Sequence, residues 1–433
     1  MGDEGIIFYC WTKQWYEFYT PELKRKIGKK LDFAFDGQHT QFFSFGGKFF
    51  IYYTSKHGEK KGPYYINLCE FDYTKGELIG EPIKITAGGL SNISISPDGS
   101  HIAFFTYSSL FKHKYTSFAL KVLDKELNPV IEEKVEIDGK HEIVRGYVNN
   151  DGAFVGITKP ANYAIDSPKK YANVVPLVIS ANPNGKGLNY TGMEIEDKLT
   201  IDIATEQDDQ GIIYGLGRYS DKNKDKRGGF YFFKVRGENG KINELVFQPN
   251  TVEFWEGLIE DSKLEKMEQR NNLSFWVKNF KLHVLDDDKI VYIGERYRTM
   301  EGQQSVLNLA EDIFIFCFSK SGKLLWKQKI DKEHGAVQNN ELFATSYFSF
   351  VENDKLWMAY NPDFRKDSKK PTTNLILTSV DCEGNLQTET LKIGSGSSFP
   401  QINVQFFEKS QPEELLLHCL TKSSKHKVGK LTW

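Results

Sequence analysis

Four polar residues in this chain occupy equivalent positions within recurring apolar runs: Ser44, Ser94, His283 and Ser349. A histidine among serine hydroxyls could relay protons, although a hydrogen-bonded structural histidine is the commoner outcome. Together they are expected to line an axial channel. A second, larger set is cationic: Lys60, Lys61, Lys112, Lys114, Lys169, Lys170, Lys224, Lys226, Arg227, Lys369 and Lys370, with Tyr219 and Tyr297 interspersed. Cations beside aromatic rings bind polyanions and stack on sugars. This set is expected to dock an anionic partner: an acidic glycan, a polyanionic surface or an acidic protein patch. Solvated loops with no partner are the plainer alternative.

Catalytic signatures are absent. The run Gly394 to Ser398 lacks the spacing of a nucleophile elbow. His141-Glu142 has no second histidine at metalloprotease spacing and is expected in an exposed connection. Asp286 to Asp288 lacks the alternating ligands and distal glutamate of a calcium loop, so no metal site is expected. Neither a phosphate-binding loop nor a dinucleotide fingerprint is present, and no cofactor is expected. Enzymatic status stays open, leaning towards a non-enzymatic binding or scaffold protein. The alternatives are a carbohydrate-active lyase or hydrolase with its site at a channel mouth, and a subunit of a cell-envelope assembly.

These groups need a frame, and the sequence supplies one in repeats. FSFGGKFFIYYT, ISISPDGSHIAFFT and GYVNNDGAFVGIT end at Thr54, Thr106 and Thr158, each 52 residues after the last. Each joins two apolar runs through a tight turn rich in Gly, Asn or Asp, the residues that tolerate positive φ or cap free backbone groups. Further hairpins turn at Asp208 to Gly211, Asp286 to Asp288 and Glu352 to Asp354, and a seventh spans Ile402 to Thr421. A period near fifty residues fits four-stranded propeller blades. The expected fold is an all-β, seven-bladed β-propeller, a single domain over 1–433, closed by joining the N- and C-terminal strands into one blade. Eight blades are the alternative. Between blades four and five, residues 250–277 place Phe254, Trp255, Leu258, Ile259 and Met267 at helical spacing, which predicts a helical insertion capping the ring, with a moving lid or partner-docking helix as the alternative.

The seven loops joining the second and third strands of each blade hold 22 Lys/Arg against 9 Asp/Glu, although the whole chain carries only −2. One face is therefore expected to be basic and the opposite, turn-bearing face acidic. A net charge this small gives no general pull towards nucleic acid, and no specific nucleic-acid partner is expected. The five cysteines show no C-x-x-C spacing and are expected as buried thiols. No run approaches the ~18 apolar residues of a membrane span, and MGDEGIIFYCW has no signal-peptide pattern. The expectation is a monomer, cytoplasmic unless the chain is trimmed from an exported periplasmic or cell-surface protein.

SPDGSHIAFFT, from Ser96 to Thr106, is similar to the S-x-D-G-x-x-[IL]-[AV]-[FY] repeat of TolB-like and WD40-like propellers. KVLDKELN, GRYSDKNKDKRGGFYFFKV, IGERY and DIFIFCFSKSGKLLWKQKI resemble uncharacterised exported bacterial β-propeller proteins over most of Ser117 to Ile393. That resemblance implies export and brings no activity or functional residues.

Overall fold

A computed structural model describes residues 6–10, 15–20, 22–31, 40–56, 64–87, 90–108, 114–161, 174–185, 187–193, 195, 198–221, 228–269, 277–285, 288–301, 306–332, 334–337, 347–361, 372–395, 401–402, 408–411, 414–420 and 426–432. At several strand ends, and at those of the residues just given that fall within 297–308 and 392–432, it describes backbone alone.

The chain is nearly all β, laid out as successive antiparallel meanders. Four-stranded sheets form from β4 (Thr40–Phe45), β5 (Lys48–Lys56), β6 (Tyr64–Asp72) and β7 (Glu77–Ala87); from β8 (Leu90–Ile95), β9 (His101–Ser108), β10 (Tyr115–Asp124) and β11 (Pro129–Asp138); and from β12 (His141–Val148), β13 (Phe154–Pro160), β14 (Leu177–Ala181) and β15 (Asn189–Gly192). The next holds β16 (Lys198–Gln207), β17 (Ile212–Asp221), β18 (Gly228–Arg236) and β19 (Ile242–Pro249). Then come β20 (Val277–Val284), β21 (Lys289–Glu301), β22 (Val306–Ser319) and β23 (Leu324–Ile330), with β24 (His334–Val337) added to β22. The last four-stranded meander is β25 (Tyr347–Glu352), β26 (Lys355–Tyr360), β27 (Thr372–Val380) and β28 (Leu386–Ser395).

Hairpin chemistry explains the registers. Gly46 and Gly47 have φ of 56° and 75°, and Asn353 and Asp354 have φ of 51° and 54°. Two consecutive left-handed residues match the twist of a two-residue hairpin, so Phe45 faces Lys48 and Glu352 faces Lys355 across the turns. Strands covered on both faces read as unbroken apolar runs, as in Ile102 to Phe105 and Ile313 to Phe318, all essentially inaccessible.

Residue contacts divide the chain into two compact units, one of 1–202, 209–213 and 234–243, the other of 203–208, 214–233 and 244–433. In the first, neighbouring sheets stack face to face. Phe45, Phe50 and Tyr52 pack with Ile102, Phe104 and Leu123, and Phe105, Phe118 and Leu120 pack with Phe154, Leu177 and Ile179. In the second, Ile293, Ile313 and Ile315 pack with Leu356, Met358 and Val380.

Three sequence expectations need correction. A blade shared by the terminal strands was expected; among the described residues, β1 (Ile6–Cys10), β2 (Trp15–Tyr19) and β3 (Arg25–Lys30) instead pair in one sheet, and β29 (Gln401–Ile402), β30 (Glu408–Gln411), β31 (Glu414–Leu420) and β32 (His426–Thr432) pair in another. The reason is β1, which pairs Ile6 to Cys10 against Tyr19 to Trp15 and gives the hairpin a partner from its own end of the chain. Tyr16 and Phe18 then pack with Ile51, Cys69 and Phe71. The predicted helix at 250–277 is two short helices, α1 (Val252–Trp255) and α2 (Asp261–Gln269). Glu256 leaves the helix at ψ 136°, and Gly257 follows at φ 76°. The basic loop expected over Arg296 to Asp312 is largely a continued ladder, in which Tyr297 pairs with Ala310 and Glu301 with Val306.

The inserted helices bury Phe254, Trp255, Leu258, Ile259 and Leu264. The Trp255 ring meets Phe314 and Phe316 edge-on at 5.6 and 5.8 Å, and Lys327 donates to the carbonyls of Glu253 and Phe254 at 2.7 and 2.8 Å. A cation on those carbonyls satisfies the acceptors left open at a helix C-terminus.

Candidate functional site

Most of the cationic set lies outside the described residues: Lys60, Lys61, Lys112, Lys169, Lys170, Lys224, Lys226, Arg227, Lys369 and Lys370. Tyr297 lies in β21, with only its backbone described. Lys114 is exposed. Tyr219 differs from the surface ring that its sequence context predicts: it is 5 % exposed and packs edge-on to Phe247 at 5.6 Å. It stands at a buried point of β17, where apolar contact outweighs solvation of the hydroxyl end. The cations at the loop bases also point to partners. Lys159 reaches Glu142 and Asp202 at 3.8 and 3.5 Å, Arg296 reaches Glu311 and Asp312 at 2.7 and 3.4 Å, and Arg218 lies 4.2 Å from the Phe280 ring centre. Such pairing consumes part of the positive charge assigned to that face.

Asp98 and Asp208, on two of the acidic turns, are already engaged. Asp98 accepts from the Ser100 amide at 2.9 Å and from the Ser96 and Ser100 hydroxyls at 2.7 Å each. These bonds to the charged form hold its carboxyl down at about 2. Asp208 takes the Tyr214 hydroxyl at 3.0 Å and the Lys320 ammonium at 3.3 Å. In the first unit a shallow cleft of about 410 Å³ opens among turn residues including Asn150, Asp151, Asp209, Arg236 and Glu238.

His141 is a further correction. It opens β12 and is 2 % exposed, where an exposed connection was expected. Thr116 draws it inward, its hydroxyl accepting from the His141 amide at 2.9 Å and donating to the Gly139 carbonyl at 3.0 Å. Burial pushes the imidazole down to about 4, partly opposed by the Asp138 carbonyl.

The strongest constellation joins two of the four predicted channel residues. Within the second unit, His283 Nε2 on β20 lies 2.9 Å from Ser349 Oγ on β25, so the first strands of successive sheets are tied by side chains 66 residues apart. Ser94 and its neighbour Asn92 do a similar job in the first unit. Ser94 Oγ accepts from the Val148 amide at 3.2 Å, and Asn92 Oδ1 accepts from the Gly146 amide at 2.8 Å. Ser44 is exposed on β4.

Beside the His283–Ser349 pair stands a residue the sequence reading missed. Strand alternation puts Lys281 on the same face of β20 as His283, while Leu282, 3 % exposed, turns the other way. The half-buried Lys281 ammonium lies 5.4 Å from the ring centre of Tyr347 and 5.2 Å from that of Phe348. Tyr347 is 4 % exposed, and its hydroxyl donates to the carbonyl of Ile293, the residue paired with Lys281 across the ladder. Among the described residues no carboxylate pairs with Lys281. Loss of hydration alone brings its amine down to about 8. The Tyr347 phenol is held well above its ordinary range by burial, with the Glu295 charge adding to it. The available signal was the K-x-H alternation in KLHV, which places two basic side chains on one face of a strand.

No family model matches this chain, and no curated protein matches it. Solved structures similar to it include dihydro-heme d1 dehydrogenase NirN in complex with DHE, at 13 % identity and TM-score 0.45, covering 97 % of this chain and 71 % of that one. Another is the β-propeller domain of the Trilobed protease from Pyrococcus furiosus, at 12 % identity and TM-score 0.41, covering 91 % and 94 %. A third is a polysaccharide lyase of family PL25, an ulvan lyase, at 10 % identity and TM-score 0.44, covering 91 % and 92 %. At such identities and scores nothing functional transfers. Among the described residues no helix is long and apolar enough to cross a membrane.

Proposed function

We propose that this protein is a non-enzymatic binding β-propeller whose partner is anionic, an acidic glycan in the first instance, held at the Lys281–His283–Ser349 face. One observation carries this reading: an ammonium desolvated over two aromatic rings with no carboxylate partner among the described residues. A half-buried cation is costly unless its charge is compensated, and an incoming carboxylate or sulfate would compensate it while making charge-assisted hydrogen bonds. The propeller assignment is supported by the run of four-stranded meanders and the face-to-face packing of neighbours within each unit. Separate strand orders for the two terminal sheets favour eight blades over seven. In this reading the lysine-rich loops raise the local concentration of an anion before it docks.

The test is a calorimetric titration with heparin-type and uronic-acid oligosaccharides against neutral glucans, repeated across a salt series. Binding of the acidic polymers alone, weakening as salt rises and falling at least about tenfold in Lys281→Met, is the expected result. Binding that ignores salt, or that survives Lys281→Met unchanged, overturns the proposal.

A further inference from the structure

We propose that Lys281 is a covalent capture residue, whose amine condenses with the carbonyl carbon of a small α-keto or aldehydic acid to form an imine. The inference rests on Lys281 facing ligand, as above, and goes beyond it by assigning bond formation and a substrate class. Three features of the geometry support it. The amine is half-buried against the rings of Tyr347 and Phe348, and among the described residues no carboxylate holds it as an ion. A lysine in such surroundings is the type that becomes nucleophilic, because desolvation favours the neutral amine, and burial does lower this one to about 8. The adjoining position on the same strand face carries His283, already bonded to Ser349 Oγ at 2.9 Å, so a group that can pass protons stands beside the nucleophile. One of the two rings is fixed as well, since Tyr347 is anchored through its hydroxyl to the Ile293 carbonyl.

The chemistry balances without any redox partner. The nitrogen lone pair adds to the carbonyl carbon, and the carbonyl oxygen takes up a proton as the nitrogen loses one, giving a carbinolamine. The C–O bond then breaks as water leaves, its proton coming from solvent or from the imidazole. The nitrogen gives up its remaining proton, and a neutral C=N bond results. The carboxylate of the same ligand supplies the negative charge that the face lacks.

Glyoxylate with cyanoborohydride is the probe, because hydride from the added reagent reduces an imine to a stable secondary amine wherever one forms. The full-length protein is labelled near neutral pH with limiting glyoxylate, and peptides are mapped by mass spectrometry. Lys281 is expected to be modified at least about tenfold faster than the exposed lysines, since an amine held at about 8 is neutral far more often near pH 7 than a fully hydrated alkylammonium. The α-amino group, itself a nucleophile, is scored separately by its own peptide. Lys281→Arg, which keeps a cation but has no amine able to form the imine, is expected to give no trapped adduct at that position. Label distributed by surface exposure, with Lys281 no faster than the exposed lysines, overturns covalent capture even where anion binding stands. Loss of oligosaccharide binding with trapping intact overturns the binding proposal instead.

Discussion

Replacing Lys281 with methionine should make the protein more stable near neutral pH, and the gain should vanish in alkali. The folded chain holds this amine at about 8 against 10.5 for an ordinary lysine. At roughly 1.4 kcal/mol for each tenfold change, that difference corresponds to about 3 kcal/mol of destabilisation while both states are protonated. Methionine keeps the length of the stem, removes the charge and places a thioether against the Tyr347 and Phe348 rings, a favourable contact. Relaxation around the site trims the benefit, so a gain on the order of 1–3 kcal/mol is expected near pH 7. The sign with pH follows from proton counting. Between about 8 and 10.5 the unfolded chain binds the proton that the folded chain has released, so wild-type stability rises with pH through that window and the advantage of the variant shrinks. Among the described residues, His283 shares Lys281's strand face and the Tyr347 ring lies 5.4 Å from its ammonium, and that phenol, raised well above 10.0, stays neutral throughout. Urea unfolding followed by tryptophan fluorescence, run on both proteins near pH 7 and near pH 10, measures the difference directly, with equal m-values as the control. A variant less stable than wild type near neutral pH, or a difference that does not change with pH, refutes the reasoning. A stability gain accompanied by lost oligosaccharide binding is the pattern of a residue kept for function at a cost in stability.

Trp255→Ala should cost about 3–5 kcal/mol in urea unfolding, because the indole is 1 % exposed among Phe254, Phe314 and Phe316; a loss below about 1 kcal/mol would show that the insertion is not part of the core. Gly76→Ala should loosen the N-terminal sheet, since Gly76 has φ 69° and a methyl group there would run into the buried Tyr16 ring; hydrogen exchange of β2 and β3 should accelerate, and unchanged protection would count against the packing of that sheet on its neighbour. His141 should make the protein acid-sensitive. Its imidazole is held at about 4, so the unfolded chain gains the proton first as pH falls through 6.5, and up to about 3 kcal/mol is lost by pH 4. His141→Leu should flatten that part of the stability–pH curve, and an unaltered slope would refute the assignment.

Hairpins and strand alternation were legible in the order of residues, because both depend on local backbone preferences. Gly46-Gly47 and Asn353-Asp354 take the left-handed conformations that close two-residue turns, and the apolar runs that they join become paired strands. That order also placed His283 and Ser349 at equivalent points of successive repeats, although their 2.9 Å approach spans 66 residues. Tertiary structure alone decided which polar groups lost their water. Lys281 and Lys114 are the same residue type, yet one lies against two rings and the other is exposed. Tyr219 and His141 belong to polar stretches but end up 5 % and 2 % exposed. The destination of the N-terminal hairpin was likewise out of reach, since β1 competes for it through pairings whose strength depends on the sheet packed beneath. Burial is a property of neighbours brought together from distant parts of the chain, and desolvation, which sets both the cost and the reactivity of an ionisable group, follows burial rather than residue type.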